Sequence, residues 1–298
     1  MATIVFAGSP VVAVPYLRAL ASIHNIALVL TREDALVGRK KELTATPVAV
    51  VAAELGLPLL KTNSLRDVDL PACDLGVVVA YGALVPDDVL HAPAHGWINL
   101  HYSLLPKLRG AAPVQRGLWN GDKATGISIF QLVNQLDAGP IFFQREIPFE
   151  SDETASDSLR RLSETTVVDL TETIDGILGG RISAREQAGE ATSAPKFSRE
   201  DARIDWHLPA TVIANRVRAL ASEPGAYTEL NKHRIGIGRV RVSHAESGSP
   251  GTITVLGTHV YAGTGDGTIE VLTVKPAGKG ELTAIDWARG LRGVMVFT

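Results

Sequence analysis

A single cysteine, Cys73, occurs among the 298 residues. That excludes an intrachain disulfide and any zinc site built on several thiolates. Phosphate-binding glycine motifs are scarce as well. There is no Walker A sequence, so ATP chemistry has no support, and Gly8-Ser9-Pro10 lacks the further glycines of a dinucleotide fingerprint. The turn is read as a structural βα turn, and neither a nucleotide cofactor nor a metal is expected. No apolar run is long enough to cross a bilayer. The opening residues Met1-Ala2-Thr3-Ile4-Val5-Phe6-Ala7-Gly8 lack a basic segment and are expected to form a core strand rather than a signal peptide. A cytoplasmic protein is the expectation. A large charge of one sign is also missing. The net charge of −3 rules out a bulk polycation that holds nucleic acid by charge alone. The charge is unevenly spread, with a balance of −5 over residues 1–203 and +2 over residues 204–298. This permits a polyanionic partner on the C-terminal part.

The length suggests two domains, and 45% hydrophobic with 20% charged residues is ordinary for a globular chain. The N-terminal part alternates short apolar runs with helical segments, the rhythm of βαβ units. Strands are expected at Ile4–Ala7, Ile26–Leu30, Leu75–Ala80, Trp97–His101, Ile127–Leu132 and Phe142–Pro148. Helices are expected over Val12–Ala21, from Pro47 to Leu55, and from Ser156 to Ile177. The fold class is α/β, a doubly wound Rossmann-like sheet over residues 1–180. Residues 181–203 turn polar and read as a linker. From residue 204 a helix near Pro209–Leu220 precedes short β-rich runs separated by glycines, which suggests a small β-barrel of OB-like type over residues 204–298.

The most informative stretch is Ile98-Asn99-Leu100-His101-Tyr102-Ser103-Leu104-Leu105-Pro106, followed by Arg109-Gly110-Ala111-Ala112-Pro113. Asn99 and His101 lie two apart on a predicted strand, so their side chains leave the same face. An amide donor thereby stands beside an imidazole that can carry a proton, a pairing that suits acyl or formyl transfer; the plainer reading of the tripeptide alone is a polar strand end capped by a loop. Asp137, in a loop after the next strand, reads either as a turn aspartate bonding its own backbone or as a carboxylate that tunes His101. His91 and His95 are four apart, but Pro93 lies between them and no third ligand is near, which argues against a metal site. Gly38-Arg39-Lys40-Lys41-Glu42 lies in a long connection, Thr31–Thr46. It is either a solvated loop or a contact for phosphates.

These motifs, with Gly121-Asp122, Thr125-Gly126 and Leu136-Asp137-Ala138-Gly139, resemble the formyltransferases that use 10-formyltetrahydrofolate. Ala194-Pro195-Lys196, Ala202-Arg203-Ile204-Asp205-Trp206, Thr264-Gly265-Asp266-Gly267 and Pro276-Ala277-Gly278-Lys279 extend the resemblance over nearly the whole chain. It is closest to the members that act on initiator methionyl-tRNA. The resemblance implies transfer of the formyl group to the α-amino group of tRNA-bound methionine, for translation initiation, by a monomer. Asn99 would stabilise the oxyanion, His101 would shuttle a proton, and Asp137 would orient His101. Ser103, Leu104, Leu105 and Pro106, with Ala138 and Gly139, would line the folate. Arg39, Lys40 and Lys41 in the loop, and Arg234, Arg239 and Arg241 in the barrel, are expected to contact tRNA phosphates. Departures from the family pattern stand out: in the basic loop Arg32-Glu33-Asp34 stands at the entry and Glu42 replaces a basic residue. Tyr102 replaces a small residue and is expected to narrow the space beside the folate, and Asn134-Gln135 replaces the usual acidic residue and glycine. A glycinamide ribonucleotide or nucleotide-sugar formyltransferase, or a non-catalytic tRNA- or folate-binding module, are the alternative readings.

Overall fold

In the computed structural model, all residues are described except Arg39, Asp67, Ser222, Glu246, Ser247 and Val294. Two compact units form. The first comprises Met1–Pro113, Thr125–Ile147 and Leu159–Ala194; the second comprises Val114–Ala124, Pro148–Ser158 and Pro195–Thr298. The chain therefore divides differently from the expected 1–180, 181–203 and 204–298. Residues 181–194, read as linker, are tied to the first unit by backbone bonds. Arg185 pairs with Ile141 in both directions, Arg109 donates to Thr192, and Ala194 donates to Arg109.

Along the chain the first elements are β1 (Thr3–Gly8), α1 (Val14–Ile23), β2 (Asn25–Thr31), β3 (Ala35–Val37), β4 (Glu42–Thr44), α2 (Pro47–Glu54), β5 (Leu59–Lys61), β6 (Leu75–Val79), α3 (Asp87–Leu90) and β7 (Trp97–His101). Then come α4 (Pro113–Asn120), β8 (Ala124–Gln131), β9 (Ile141–Pro148), α5 (Ala155–Thr165) and α6 (Val167–Leu178). The main sheet has the order β5-β2-β1-β6-β7-β8-β9. Its first five strands are parallel and β8 runs antiparallel to β7. Strand β6 is buried along its whole length, as its unbroken apolar run demands for a strand covered on both faces. The order reverses between β1 and β6, so the crevice characteristic of open α/β sheets opens at their carboxyl ends.

Three features go beyond what the sequence pattern indicates. The single helix expected over 156–177 is broken at Thr166, whose hydroxyl bonds the Tyr16 hydroxyl at 2.6 Å. The Tyr102 side chain turns into the core of the unit. Its ring is buried and its hydroxyl donates to Tyr16 at 3.3 Å, inside the layer where α1 packs on α6. The long connection after β2 folds into the β3–β4 hairpin, with Leu36 and Leu43 exposed.

The second unit adds α7 (Ala210–Leu220), β10 (Tyr227–Leu230), β11 (His233–Ser243), β12 (Thr252–Leu256), β13 (His259–Gly263), β14 (Thr268–Pro276), β15 (Leu282–Thr283), α8 (Ala284–Ala288) and β16 (Met295–Val296). Its antiparallel sheet runs β10-β11-β14-β13-β12-β16. Beyond β16, Thr298 exchanges both backbone hydrogen bonds with Glu229 of β10 at 2.9 Å, so the chain end draws the outer strands into a barrel. Trp206 and Phe297 stack at 5.0 Å in its core. Trp119 of α4 packs against Phe197 with ring centroids 4.7 Å apart and the planes tilted, which ties α4 to this unit.

Gly76 of β6 lies opposite Trp97 of β7, and a methyl group on Gly76 would overlap the indole ring. The ring is held in place by its Nε1, which donates to Val89 at 2.8 Å. Gly76→Ala should therefore destabilise the protein by about 1–3 kcal/mol, the cost of overpacking a filled core. Thermal melting checks this, and an unchanged midpoint would show that Trp97 can move aside.

Candidate active site

His101 is the last residue of β7, and Asn99 lies two residues earlier on the same face of the strand. The neighbouring turns are cross-linked. The Ser9 hydroxyl donates to the Tyr81 carbonyl at 3.0 Å and accepts from the Arg32 amide, and the Arg32 guanidinium donates to the Gly82 carbonyl at 2.8 Å. The carboxyl ends of β1, β2 and β6 are thus fixed together beside β7.

His101 is buried, with 6% of its surface exposed. One ring nitrogen, Nε2, lies 2.9 Å from the Leu108 carbonyl. A carbonyl only accepts, so Nε2 carries a hydrogen and Nδ1 is the nitrogen free to take a proton. Burial pulls the imidazole pKa below its ordinary 6.5; the charge of Asp137 and the Leu108 carbonyl oppose this without overcoming it. His101 is accordingly neutral at neutral pH.

Asp137 is equally buried, and its Oδ2 lies 3.8 Å from His101 Nδ1. That separation is too long for a hydrogen bond. The same oxygen accepts from the Gly110 amide at 2.7 Å. The expected direct orientation of His101 by Asp137 is therefore not the contact seen. The Leu108 carbonyl fixes the tautomer, and Asp137 is set to meet the positive charge that develops when Nδ1 takes a proton. The Asp137 backbone has φ of 47°, an uncommon conformation for a residue with a side chain. The adjoining Gly139 has no alternative, because a Cβ there would overlap the Gln131 carbonyl.

The expected folate wall is anchored from within. Ser103 is buried and its hydroxyl donates to the Lys107 carbonyl at 2.6 Å. Leu105 is a core residue beside Phe130 and Ile141. Its amide donates to the Ser128 hydroxyl at 3.0 Å and its carbonyl accepts from Gln144 at 2.8 Å. Its side chain thus faces the core. Leu104 is half-buried against Gly126, Pro106 is buried, and Ala138 is half-buried beside Asp137.

Sequence reasoning missed Gln187, whose amide nitrogen donates to the carbonyls of both Asp137 and Gly139 at 2.8 Å. Its carbonyl oxygen accepts from Arg109 at 2.6 Å. No local pattern marks this residue, which sits in a polar, irregular segment. His91 is exposed and 3.4 Å from Asp87, while His95 lies in an exposed turn. Among the described residues no group of three or more metal-ligating side chains occurs.

The basic residues scatter. Arg39 lies outside the described residues, and Lys40 and Lys41 are exposed at the tip of the β3–β4 hairpin. In the barrel, Arg234 lies over the Tyr227 ring at 3.7 Å. Arg239 pairs with Asp157 at 2.7 Å and Arg241 with Asp152 at 3.3 Å. The positive balance expected for the C-terminal part disappears in the folded unit. Recruiting 148–158 brings in four acids, and the unit then holds 15 basic and 15 acidic residues.

The neutral state of His101 is open to test. Its folded pKa lies below the unfolded value, so as pH falls the unfolded chain binds the proton first. The stability it contributes is present above about 6.5 and is lost below. Ring resonances of His101 should titrate below 6.5, and Asp137→Asn should lower the midpoint further. A midpoint above 6.5 would contradict this electrostatic account.

The comparisons with known proteins agree with this architecture. Residues 2–174 match the family described as formyl transferase, and residues 196–292 match the formyl transferase C-terminal domain. A relative from Leifsonia xyli subsp. xyli, named methionyl-tRNA formyltransferase, is 44% identical over 300 residues and covers 99% of both chains. Among solved structures, HypX from Aquifex aeolicus in complex with tetrahydrofolic acid aligns with a TM-score of 0.67 at 18% identity. It covers 97% of this chain and 47% of that one. Methionyl-tRNA formyltransferase from Clostridium thermocellum aligns at 0.57 and 19% identity, covering 83% of this chain and 96% of that one. With both of its regions matched and a full-length relative at 44% identity, this chain belongs to the formyl transferase family.

Proposed function

We propose that this enzyme transfers a formyl group from 10-formyltetrahydrofolate to the α-amino group of methionine esterified to initiator tRNA, in the cytoplasm and as a monomer. In this reading the first unit, built mainly from residues 1–180, is the catalytic domain, and the barrel over residues 204–298 binds tRNA. The observation that carries the reading is the buried neutral His101, its open Nδ1 facing Asp137 and Asn99 on the same strand face. The full-length relatives that bear the methionyl-tRNA formyltransferase name support the choice of acceptor.

The nucleophile is the acceptor's own amine, so no protein nucleophile is needed. A free α-amino group has a pKa of about 7.7–8.0, so a useful share is neutral near pH 7. As the amine attacks the formyl carbon, its C–N bond forms and the carbonyl oxygen becomes an oxyanion that Asn99 stabilises. Asp137 takes the proton lost by the amine, directly or through water, and relays it to the open Nδ1 of His101. The resulting imidazolium, stabilised by the restored Asp137 carboxylate, assists the oxyanion and delivers that proton to N10 of the folate as the bond from N10 to carbon breaks. One proton thus passes from amine to leaving nitrogen, with no net change. Ser103, Leu104, Leu105, Pro106, Ala138 and Gly139 form and support the folate wall.

Asn99→Ala and His101→Ala should each lower kcat at least ~100-fold with thermal midpoints near that of the parent, the scale of a lost oxyanion donor or general acid–base. Asp137→Asn should lower kcat strongly while folate affinity changes little, because only the transition state uses its charge. Steady-state formyl transfer with a folate-binding titration reads all three. Normal turnover in any one variant removes that residue from the mechanism.

Both basic regions contact tRNA in this reading. Arg39, Lys40 and Lys41 meet the acceptor end, and Arg234, Arg239 and Arg241 meet the stem. Arg234→Ala should weaken tRNA binding and flatten its dependence on the logarithm of salt by about one unit. Arg239→Ala should do less, because Asp157 already holds that guanidinium. Equal salt slopes for parent and Arg234→Ala would place the tRNA elsewhere.

A further inference from the structure

Gln187 belongs to a stretch with the composition of a linker, yet it makes three hydrogen bonds at the catalytic loops. Its amide nitrogen has two hydrogens, and they go to the carbonyls of Asp137 and Gly139, each at 2.8 Å. Its oxygen accepts from Arg109 Nη2 at 2.6 Å. Arg109 is itself held, since its amide donates to Thr192 and its carbonyl accepts from Ala194. The preceding residue, Leu108, donates its amide to the Thr192 hydroxyl at 2.9 Å, and its carbonyl fixes His101 Nε2. The following residue, Gly110, donates its amide to the Asp137 carboxylate. One strip of chain, 185–194, therefore laces the loop that sets the His101 tautomer to the loop that carries Asp137.

The lacing bears on strain. Asp137 sits at φ 47°, a left-handed conformation that is uncommon for a residue with a side chain, though aspartate adopts it more readily than most. The two carbonyls flanking Ala138 would otherwise turn toward water and let the loop relax. Gln187 keeps both pointing inward. The carboxylate is then held on Gly110 N and 3.8 Å from His101 Nδ1.

We propose that Gln187 is a positioning residue for Asp137. Its carboxamide clamps the 137–139 loop in the left-handed conformation that aims the carboxylate at His101, and Arg109 orients that carboxamide. The proposal rests on the catalytic reading of Asp137 given above. It also makes residues 181–194 part of the catalytic centre rather than a tether.

Gln187→Met keeps the length and volume of the side chain and removes the donors and the acceptor. The test compares the full-length parent, Gln187→Met, Asp137→Asn and the double variant. Three readouts apply: formyl transfer kinetics, thermal midpoint and the titration of the His101 ring. Misplacement of a catalytic group by an ångström costs up to about 100-fold, so Gln187→Met should lower kcat about 10- to 100-fold. The KM for the folate donor should change less than about twofold. The double variant should be no slower than Asp137→Asn alone, because Gln187 acts through that carboxylate. The His101 midpoint should fall in Gln187→Met, as in Asp137→Asn, whereas a purely structural role would lower the thermal midpoint and leave the ring's titration in place. A kcat within twofold of the parent, or losses that multiply in the double variant, overturns the proposal. Asp137→Asn with normal kcat would instead overturn the catalytic reading of Asp137, and the His101 titration would still report whether Gln187 positions it.

Discussion

Burial of His101 at the end of β7 is the constraint around which the first unit is organised. Taking an imidazole out of water disfavours its charged form, and here that cost outweighs the attraction of Asp137, leaving a neutral ring. A neutral ring can accept a proton, but only if one nitrogen is committed and the other is open. The Leu108 carbonyl commits Nε2. The price is a buried carboxylate, Asp137, which must itself be satisfied, and the Gly110 amide satisfies it. Each requirement calls on the next, and the chain of partners ends at residues 185–194.

The parallel sheet makes this possible because its carboxyl ends converge at the reversal between β1 and β6. Gly76 lets Trp97 lie flat against β6, which seats β7. Ser9 and Arg32 then tie the turns after β1, β2 and β6 to one another. The loop after β7 is anchored separately, through Ser103, Leu105 and Ser128. Rigid support on both sides holds His101 on a strand end and Asp137 on a loop at a fixed separation.

Much of this was legible in the residues. The run Trp97–His101 forms a strand with the expected ends, because its apolar residues fill buried positions and the following Ser-Leu-Leu-Pro turn stops it. Pro47 begins a helix, as a residue with fixed φ and no amide hydrogen should, and the Thr46 side chain caps it. The sequence pattern also revealed the barrel, though not its closure by Thr298, since a terminal residue's pairing leaves no local trace. The β3–β4 hairpin was hidden because all six of its residues are exposed, so no alternation of apolar and polar residues betrays it. The contact of Tyr102 with Tyr16 left no trace in the sequence because the two lie 86 residues apart. Gln187 was invisible for the same reason: its role is set by carbonyls that only the folded chain brings near.

The second unit has no net charge once 148–158 is counted with it, so any hold on tRNA depends on where individual cations stand rather than on bulk attraction. Specificity for the acceptor therefore has to come from shape and from the site itself. The most direct test of the account offers the purified chain 10-formyltetrahydrofolate with one of three acceptors: initiator methionyl-tRNA, elongator methionyl-tRNA or a nucleotide-linked amino sugar. The account predicts N-formylmethionine on the initiator tRNA, much slower transfer to the elongator species and none to the sugar. Formylation of the sugar with the charged tRNA left untouched, or no transfer to any acceptor, would contradict it.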